Sequence, residues 1–513
     1  MGAVGAPYVA RMARPSDTIV DSTPLTTGRV DVGARIGWLL RGHRVLAGVG
    51  LSEMSDRLAA HGVRRGVPAL SGLERRGDRQ GLVIDAYEAS LGLGSGWLRG
   101  PIDQVCRSVP DAPTDERAGV EQPSDVASFD AVLEPLWAPG ASGGEWLHAA
   151  RVLADGRLWG LPTRVVEPLV DRLLREMVRS VGPAFPCRFE ALCLLRTSRY
   201  ADVVEDAVRG LLDQPGSDIV AANALGVLGT RPTARSTAWV AGLLTDPSVW
   251  VVAGASYALQ QVRVADTARE VDWSVVVEPF LAAHSRCAPG SSVSLRLTRL
   301  LKSLPASARA EVVAGLTRPP DAVGGPASWT ADEDNAHWAA CVAVADDAVA
   351  RTGGPAQPML ARLVFEAAFD FRETVAEAGS KTLMASPYVA ATSAVLLELA
   401  DATDDPAVRD GAIRAVHFSQ VPVAEEDLVA WVSTSDLASS PGAYVVAANA
   451  GAPVPVQARA RVLEGGETAL RVVEWMGMSH DPGLAELADC TRVDAEVRAA
   501  AAWWAAHPGR VVR

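Results

Sequence analysis

The sequence predicts an all-α protein with a small N-terminal helical unit and a long helical region behind it. Nearly half of the 513 residues are hydrophobic (49%) but only 5% are aromatic, so small aliphatic side chains fill most of the core, which favours closely packed helices over a β-sandwich. Apolar residues recur at helical spacing, most clearly over 165–181, and Pro, Gly and Asp turns separate such segments. The chain length indicates two to four domains.

The N-terminal part of the chain divides into a leader, a helical unit and a linker. Residues 1–28 mix Gly, Pro, Ser and Thr without helical period, so we expect a disordered leader. Residues 29–107, called the head below, contain five helical segments. Residues 108–128 are Pro-rich, acidic and aperiodic, and we expect a linker there. The five predicted helices cover 32–45, a segment capped by Ser52, 68–75, 80–91 and 95–105.

Residues 129–513, called the body below, are predicted to form an α-helical repeat region, which a Pro- and Gly-rich segment at 318–328 would divide in two. Three helix starts share one pattern, in which Asp precedes an apolar residue by three positions and small or apolar residues by seven and ten. The starts are Asp246, Asp405 and Asp494. The pattern resembles HEAT-type repeats, whose stacked helix pairs bury a continuous core. The alternative is a non-repetitive helical domain.

Head and body carry opposite charge. The formal net charge of the chain is −13. Between Arg29 and Gly81 ten arginines stand against five acidic residues, a balance of +5 that leaves −18 for the remainder. A polyanion is therefore expected to bind the head and to be repelled by the body.

Several classes of function are disfavoured by the sequence. The six cysteines form no CxxC pair, so we expect a reducing cytoplasm and neither a disulfide framework nor a zinc site. No run of about 18 apolar residues predicts a membrane span, and no apolar run at the start predicts a signal peptide. We find no Ser-His-Asp, HExxH or P-loop pattern, and therefore expect no enzyme activity, no catalytic residue, no metal and no cofactor.

Two other motifs favour structural roles. Gly92-x-Gly94-x-Gly96 looks like half of a dinucleotide fingerprint, but it follows a helix instead of a strand, so we interpret it as a helix exit. Asp332, Asp334 and His337 are residue types that bind metals. The segment Thr330-Ala-Asp-Glu333 has the form of a capping box, however, which predicts the start of a helix there.

Three segments of the head carry a family resemblance. Residues 69–77 read Ala-Leu-Ser-Gly-Leu-Glu-Arg-Arg-Gly, residues 86–93 read Ala-Tyr-Glu-Ala-Ser-Leu-Gly-Leu, and residues 36–41 read Ile-Gly-Trp-Leu-Leu-Arg. The first two resemble the recognition helix and the fourth helix of λ-repressor-like (XRE-type) helix-turn-helix domains. The third resembles helix one in the large actinobacterial regulators of that type. The resemblance is confined to the head, and it implies a five-helix DNA-binding domain.

In such a domain the recognition helix enters the major groove with its N-terminus first. Its exposed face is predicted to hold Pro68, Ala69, Ser71 and Gly72, whose small size permits close approach to DNA. Pro68 or Ala69 would contact a thymine methyl group, and Ser71 a base or a phosphate. The family often has Arg or a polar residue where Gly72 stands, so few direct hydrogen bonds to bases are expected and DNA shape would supply specificity.

Arginines around this helix are expected to neutralise phosphates, which gives affinity and register but no sequence preference. The resemblance implies a structural role for Glu74, which pairs within the domain in this family. We do not assign it to DNA, because phosphates would repel it. The predicted phosphate-binding residues are Arg44, Arg64, Arg65, Arg75, Arg76 and Arg79.

These features predict a sequence-specific transcriptional regulator, cytoplasmic and associated with the nucleoid, that binds double-stranded DNA. A homodimer is expected because one head makes too few contacts for a tight specific site. The body would supply dimerisation, effector sensing or contact with RNA polymerase or another protein. The alternative is a protein-interaction scaffold whose head no longer binds DNA. A helical-repeat enzyme acting on DNA is a third hypothesis, which the lack of a catalytic pattern disfavours.

Overall fold

The structure, a computed structural model, describes residues 18–114, 122–138, 140–156, 159–264, 271–322, 335–420, 431 and 441–513. These residues form 26 α-helices, and within them the β-structure consists of one isolated bridge between Ser180 and Val512. The predicted all-α fold is confirmed.

Five helices form the head, as the sequence predicts. They are α1 (Val32–Leu46), α2 (Leu51–Ala60), α3 (Val67–Arg76), α4 (Gly81–Leu91) and α5 (Arg99–Ser108). Asp31 caps α1, because its carboxylate accepts a hydrogen bond from the backbone N–H of Ala34 at 2.9 Å. Gly92 ends α4 with a φ of 67°, which confirms the predicted helix exit. Ser52 lies inside the first turn of α2 and does not cap it, so this detail of the prediction is wrong.

Eleven of the described helices belong to the first half of the body. They are α6 (Val126–Trp137), α7 (Gly143–Asp155), α8 (Thr163–Met177), α9 (Ala184–Thr197), α10 (Ala201–Leu212), α11 (Ala221–Leu228), α12 (Ala234–Gly242), α13 (Val249–Val264), α14 (Ser274–Arg286), α15 (Ser292–Ser303) and α16 (Ala306–Gly315). Helices α7, α9, α11, α13 and α15 pack on one another in that order, and the even-numbered helices pack behind them. This half is a two-layered, solenoid-like stack.

The second half contains the remaining ten helices. They are α17 (Ala336–Thr352), α18 (Pro358–Phe369), α19 (Glu373–Met384), α20 (Val389–Ala402), α21 (Pro406–Ser419), α22 (Pro441–Ala450), α23 (Val456–Ala460), α24 (Gly466–Met478), α25 (Gly483–Ala488) and α26 (Ala495–Ala506). Helices α18, α21, α22, α24 and α26 pack on one another in that order. The segment 318–328, predicted to divide the body, falls between α16 and α17, and its residues 323–328 lie outside those described.

The two halves of the body face each other. The Tyr257 hydroxyl on α13 donates to Glu377 Oε1 on α19 at 2.9 Å. At the other end the last residues of the chain return to the first half, where the Val181 N–H donates to the Val512 carbonyl oxygen at 3.0 Å. The stack is therefore folded back on itself, so that inner helices of the first half meet helices of the second.

The repeated helix-start pattern lies where the sequence places it. Asp405 caps α21, since its carboxylate accepts from the backbone N–H of Ala407 at 2.8 Å, whereas Asp494 precedes α26 without a side-chain cap bond. The predicted inward faces are buried on both helices, which confirms the periodicity. They consist of Val408, Ala412 and Ala415 on α21, and of Val497, Ala501 and Trp504 on α26. A closer relation to HEAT repeats stays a prediction.

The predicted disordered leader is wrong for residues 18–28, which are ordered between head and body; residues 1–17 lie outside those described. Asp21 is buried, and its carboxylate pairs with Arg35 of α1 at 2.9 Å and with Arg362 of α18 at 3.3 Å. The Arg372 guanidinium also donates to the Leu25 carbonyl oxygen at 2.6 Å. The segment is held by partners more than 300 positions away in the sequence, which its own composition does not reveal.

Helix α1 fixes the head to the second half of the body. Trp38 Nε1 donates to Gln357 Oε1 at 2.7 Å, and His43 Nε2 lies 2.7 Å from the Ala385 carbonyl oxygen. The Trp38 ring also stacks on Tyr388, with ring centroids 5.9 Å apart. Most residues of α1 are therefore buried, although a helix of an independent head would face solvent on one side.

Helix α5 fixes the head between the two halves, because it packs on both α9 and α19. At Gly100 a Cβ atom would lie 2.5 Å from Cys187 Sγ of α9, closer than side chains approach in proteins. A glycine is thus needed where α5 crosses α9. The linker predicted at 108–128, of which 115–121 lie outside the described residues, joins two packed parts instead of separating them.

Candidate nucleic-acid interface

Helix α3, the predicted recognition helix, is held on the head by its inner face. Leu70 and Leu73 are buried against the neighbouring helices. Helix α1 approaches closely because Gly37 has no side chain, and a Cβ there would collide with the Glu74 carbonyl group. Gly77 ends α3 with a φ of 65°, a conformation that favours glycine. The backbone of α3 is therefore fixed relative to α1, which is itself fixed to the body.

The prediction that Arg44 binds a phosphate is wrong. Its guanidinium is buried and donates to both carboxylate oxygens of Glu74, at 2.5 and 2.7 Å, and to the Val49 carbonyl oxygen at 2.8 Å. The hydrogen bond with Glu74 raises the pKa of Arg44. Glu74 also accepts from the Tyr87 hydroxyl at 3.0 Å. The structural role expected for Glu74 is thereby confirmed, and Arg44 is the partner that the sequence did not identify.

The prediction that Arg79 binds a phosphate is also wrong, because its guanidinium is paired with a carboxylate of the head. Its Nε and Nη2 donate to Asp103 Oδ1 of α5 at 3.1 and 2.8 Å, and its side chain is 21% exposed. Asp103 pairs with Arg99 and Arg151 as well. Burial opposes ionisation of Asp103, but the three guanidinium groups outweigh it and hold the pKa of this carboxyl well below its usual range. Arg79 thus ties the segment after α3 to α5 within the head, and its guanidinium is engaged there.

Gly72 does not belong to the exposed face that the sequence predicts. It is buried, and a Cβ at this position would lie 3.1 Å from Nη1 of Arg76, one helical turn further on. The Arg76 side chain folds back along α3 and covers the glycine, while itself remaining 68% exposed. The surface above Gly72 is consequently a guanidinium group and not a bare backbone.

The other predicted residues lie on one side of the head. Arg64, Pro68, Ala69, Arg75 and Arg76 are exposed, and Arg65 and Ser71 are partly exposed. No side chain caps the start of α3 at Gly66, so its first backbone N–H groups point outward without a side-chain acceptor. We call this set, Arg64 to Ala69 together with Ser71, Arg75 and Arg76, the α3 surface.

The charge of the α3 surface is positive with few local counterions. Arg76 pairs with Asp78 at 3.3 Å, with both side chains well exposed, and the Arg75 Nε contacts the Ser71 carbonyl oxygen at 3.3 Å. Arg65 donates to Gln80 Oε1 at 2.6 Å. Exposed pairs of this kind are weak, so the guanidinium groups remain available to another anion.

Of the three residues near position 335 that are of metal-binding type, the structure describes His337. His337 lies in the first turn of α17, which Asn335 caps, and its ring stacks on Phe369 with centroids 4.4 Å apart. The predicted capping box at 330–333, with Asp332, and also Asp334, lie outside the described residues. Within the described ranges, no group of three or more His, Cys, Asp or Glu side chains has the arrangement of a metal site. All six cysteines are free.

Sequence reasoning missed a buried carboxylate that shapes the head. Glu88 of α4 accepts hydrogen bonds from the backbone N–H groups of Gly96, Leu98 and Arg99 at 2.6 to 2.8 Å. It thereby fixes the start of α5, where helices normally leave such donors unsatisfied. Burial raises the pKa of Glu88 to about 7. The available signal was a Glu in a largely apolar helix, ahead of a glycine-rich turn.

Comparison with known proteins adds no family. No family model matches the sequence, and no curated protein matches it. A crystal structure of an engineered protein from a structural genomics consortium matches 74% of this chain and 99% of its own, with 16% sequence identity and a TM-score of 0.21. So low a TM-score supports no argument about fold or function. Among the described helices none is by itself long and apolar enough to cross a membrane; the pair α19–α20 passes that test only together, across a bend of 118°.

Proposed function

We propose that the chain binds double-stranded DNA through the α3 surface and acts as a transcriptional regulator. The observation that carries the proposal is that different helices of the head contact the body and face solvent. Helices α1 and α5 contact the body. The N-terminus of α3 is uncapped, and the exposed residues of this helix are small residues and arginines. A helix that enters the major groove needs this combination of rigid support and an open outer face.

The residue types of the α3 surface suit DNA in two ways. Pro68 and Ala69 are small and apolar, so they allow the helix to approach the bases and contact a thymine methyl group. Arg64 precedes the helix and Arg75 and Arg76 end it, so that guanidinium groups flank the apolar patch at both ends of α3. This arrangement supports phosphate contacts on either side of a groove, which supply affinity and register.

The body has a mechanical role in this proposal. Since the head is packed between the halves of the body, two heads in a homodimer would be held at a fixed distance. That distance would select the spacing of the half-sites in the operator, as in other dimeric helix-turn-helix proteins. Contact with RNA polymerase or another protein would then use the remaining surface of the body.

Selection of genomic DNA fragments by the full-length protein at about 150 mM salt tests the proposal, since specific binding must exceed salt-sensitive non-specific binding. We expect recovered fragments to share a repeated half-site. The triple variant R64Q/R75Q/R76Q should lose binding, while R351Q, which removes an exposed arginine of the body, should retain it. Equal recovery of DNA by the triple variant and R351Q would reject the α3 surface as the interface.

One observation favours the alternative, a protein-interaction scaffold. Val67 is 38% exposed beside Pro68 and Ala69, which gives the start of α3 an apolar surface without a hydrogen-bonding side chain. Such a patch also suits a protein partner. Uniform and weak DNA retention, together with a partner whose capture depends on Val67, would support the scaffold instead of the regulator.

A further inference from the structure

A second cluster of arginines lies far from the head, where the halves of the body face each other. Arg296 and Arg299 project from α15 of the first half, Arg414 and His417 from α21, and Arg471 from α24. We call the space between these side chains the inter-half recess. Arg296 keeps 37% of its side chain exposed and Arg299 27%, so solvent reaches the recess. Burial lowers the pKa of Arg296.

The arginines of the recess are incompletely paired. Glu373 lies 3.9 Å from Arg296 and 3.6 Å from Arg299, beyond good hydrogen-bond distance, and it accepts from the Gln260 amide at 2.7 Å. Nε of Arg299 is buried and has no hydrogen-bond partner among the described residues. Arg414 donates to a backbone carbonyl oxygen, that of Asp370, at 3.0 Å.

The recess carries excess positive charge. Arg296 and Arg299 lie beside one carboxylate, that of Glu373, with which Arg414 also interacts electrostatically. Two further cations are balanced by their own partners, Arg471 by Glu474 at 2.8 Å and Lys381 by Glu377. Asp370 is likewise committed to Arg372, at 2.6 Å. The described groups thus leave an excess of two charges, or of one where the exposed Glu467 near Arg296 is counted.

Burial and the neighbouring cations together shift the pKa values of two groups in the recess. Burial, followed by the repulsion of Arg299, lowers the pKa of Arg414 to about 10. Burial, followed by the charges of Arg471 and Arg414, lowers the pKa of His417 to about 3. Like charges held together in this way destabilise the empty protein, and an anion placed among them removes the repulsion.

We propose that the inter-half recess binds a small phosphate-bearing anion through Arg296, Arg299 and Arg414. A guanidinium group presents a planar fork of donors that matches phosphate oxygens. Arg296 and Arg299 lie 3.9 and 3.6 Å from Glu373, and Arg414 donates to the carbonyl oxygen of Asp370, three residues before Glu373 in the chain. A dianionic phosphate balances the excess charge of the recess. This inference is independent of DNA binding by the head.

An aromatic ring beside the arginines extends the site. The Phe418 ring is 43% exposed, lies 5.7 Å from the Arg414 guanidinium and stacks on His417 at 4.6 Å. It offers an apolar surface next to the phosphate position. Free phosphate would use the arginines alone, whereas the phosphoryl group of a nucleotide would add stacking of its base on Phe418.

Isothermal titration of the full-length protein with inorganic phosphate, AMP and adenosine tests the proposal in a phosphate-free buffer. We expect saturable binding of phosphate or AMP and none of adenosine. The variant R299Q/R414Q should bind about tenfold to a hundredfold more weakly, as the loss of charged hydrogen bonds implies, while R351Q binds like the unchanged protein. Tighter binding of AMP than of phosphate would assign the site to nucleotides, and equal binding would assign it to free phosphate.

Several outcomes would overturn the proposal. These are no binding of either anion up to about 10 mM, equal binding by R299Q/R414Q and R351Q, or binding of adenosine as strong as that of AMP. Melting temperatures measured with and without phosphate distinguish an anion-binding role of the arginines from a merely structural one. We expect R414Q to melt no lower than the unchanged protein without phosphate and to lose the stabilisation that phosphate gives. A lower melting temperature with that stabilisation retained would show a structural role and reject the site.

Discussion

Arg35 and Glu366 stand 331 positions apart in the sequence, and they form an ion pair in which Arg35 Nη2 lies 2.8 Å from Glu366 Oε1. Neither side chain is more than 1% exposed. Asp21 and Arg362 complete the network, so that the leader, the head and the body each contribute a charge to one buried cluster. Buried charges must be paired, and the three segments therefore depend on one another to fold.

Replacement of Glu366 by Gln should destabilise the protein strongly. The change leaves Arg35 and Arg362 buried with Asp21 as their remaining carboxylate partner. Removal of one partner from a buried ion pair costs about 3 to 5 kcal/mol, whereas an exposed pair contributes about 1 kcal/mol or less. We expect a matching fall in the free energy of unfolding, measured by urea denaturation. The control is E398Q, which breaks the exposed pair with Arg351; equal effects of both variants would refute the role of the cluster.

The isolated head should not fold on its own. A fragment covering 29–110 loses the partners of Trp38, His43 and Gly100, and it exposes the buried faces of α1 and α5 to water. We expect circular dichroism to show low helix content and no cooperative melting for this fragment. The full chain serves as the reference. A fragment with a dispersed amide spectrum and a sharp melt would show that the head is an independent domain, as its sequence predicts.

The sequence predicted local structure well because that structure depends on nearby residues. Helical spacing located all five helices of the head to within a few residues, and glycines marked the ends of α3 and α4. The pairing of Glu74 inside the head was expected from the family resemblance, and one of its partners, Tyr87, lies on the next helix.

The role of individual arginines could not be predicted in the same way. Arg44 and Arg76 look alike in sequence, yet one is buried on Glu74 and the other is exposed. The difference depends on which helix faces pack together in three dimensions. The inter-half recess was missed for the same reason, because Arg299 and Arg414 are 115 positions apart and become neighbours only when the body folds back.

DNA binding should depend on salt with a slope set by the α3 surface. Arg64, Arg65, Arg75 and Arg76 offer about four phosphate contacts per head, which predicts a slope of log K against log salt of about −3.6 per head. Removing Arg75 and Arg76 should halve that slope and weaken binding to all sequences alike. Fluorescence anisotropy of a labelled duplex at several salt concentrations measures this slope. An unchanged slope in R75Q/R76Q would exclude both residues as phosphate contacts.

A change at Ala69 should instead alter sequence preference. Ala69 is exposed near the N-terminus of α3 and has no hydrogen-bonding group. In Ala69→Asn, the new amide would pair with adenine and favour it at one position by about 1 to 3 kcal/mol. We expect a shifted consensus in fragment selection, with the salt slope unchanged. Ser52→Asn on α2, also exposed, is the control. An Ala69→Asn consensus identical to the original would show that α3 does not read base edges.

Stability should fall in mild acid because of His417. Its pKa is lowered to about 3 in the folded protein by burial and by the charges of Arg471, Arg414, Lys381 and Arg296. An unfolded chain takes up a proton near the ordinary value of about 6.5, and the folded protein does not. The free energy of unfolding therefore decreases as the pH falls below about 6.5, by up to about 1.4 kcal/mol per pH unit, and the full stability is present above that pH.

The variant H417N isolates this contribution. Urea denaturation at pH 7.5 and pH 5, in a buffer without phosphate, should show about 2 kcal/mol less acid destabilisation in H417N than in the unchanged protein. H61N, at an exposed position after α2, should behave like the unchanged protein. If H417N and H61N lose the same stability on acidification, His417 takes up its proton as readily in the folded protein as in the unfolded one. The recess would then lack the positive potential on which its proposed anion site depends.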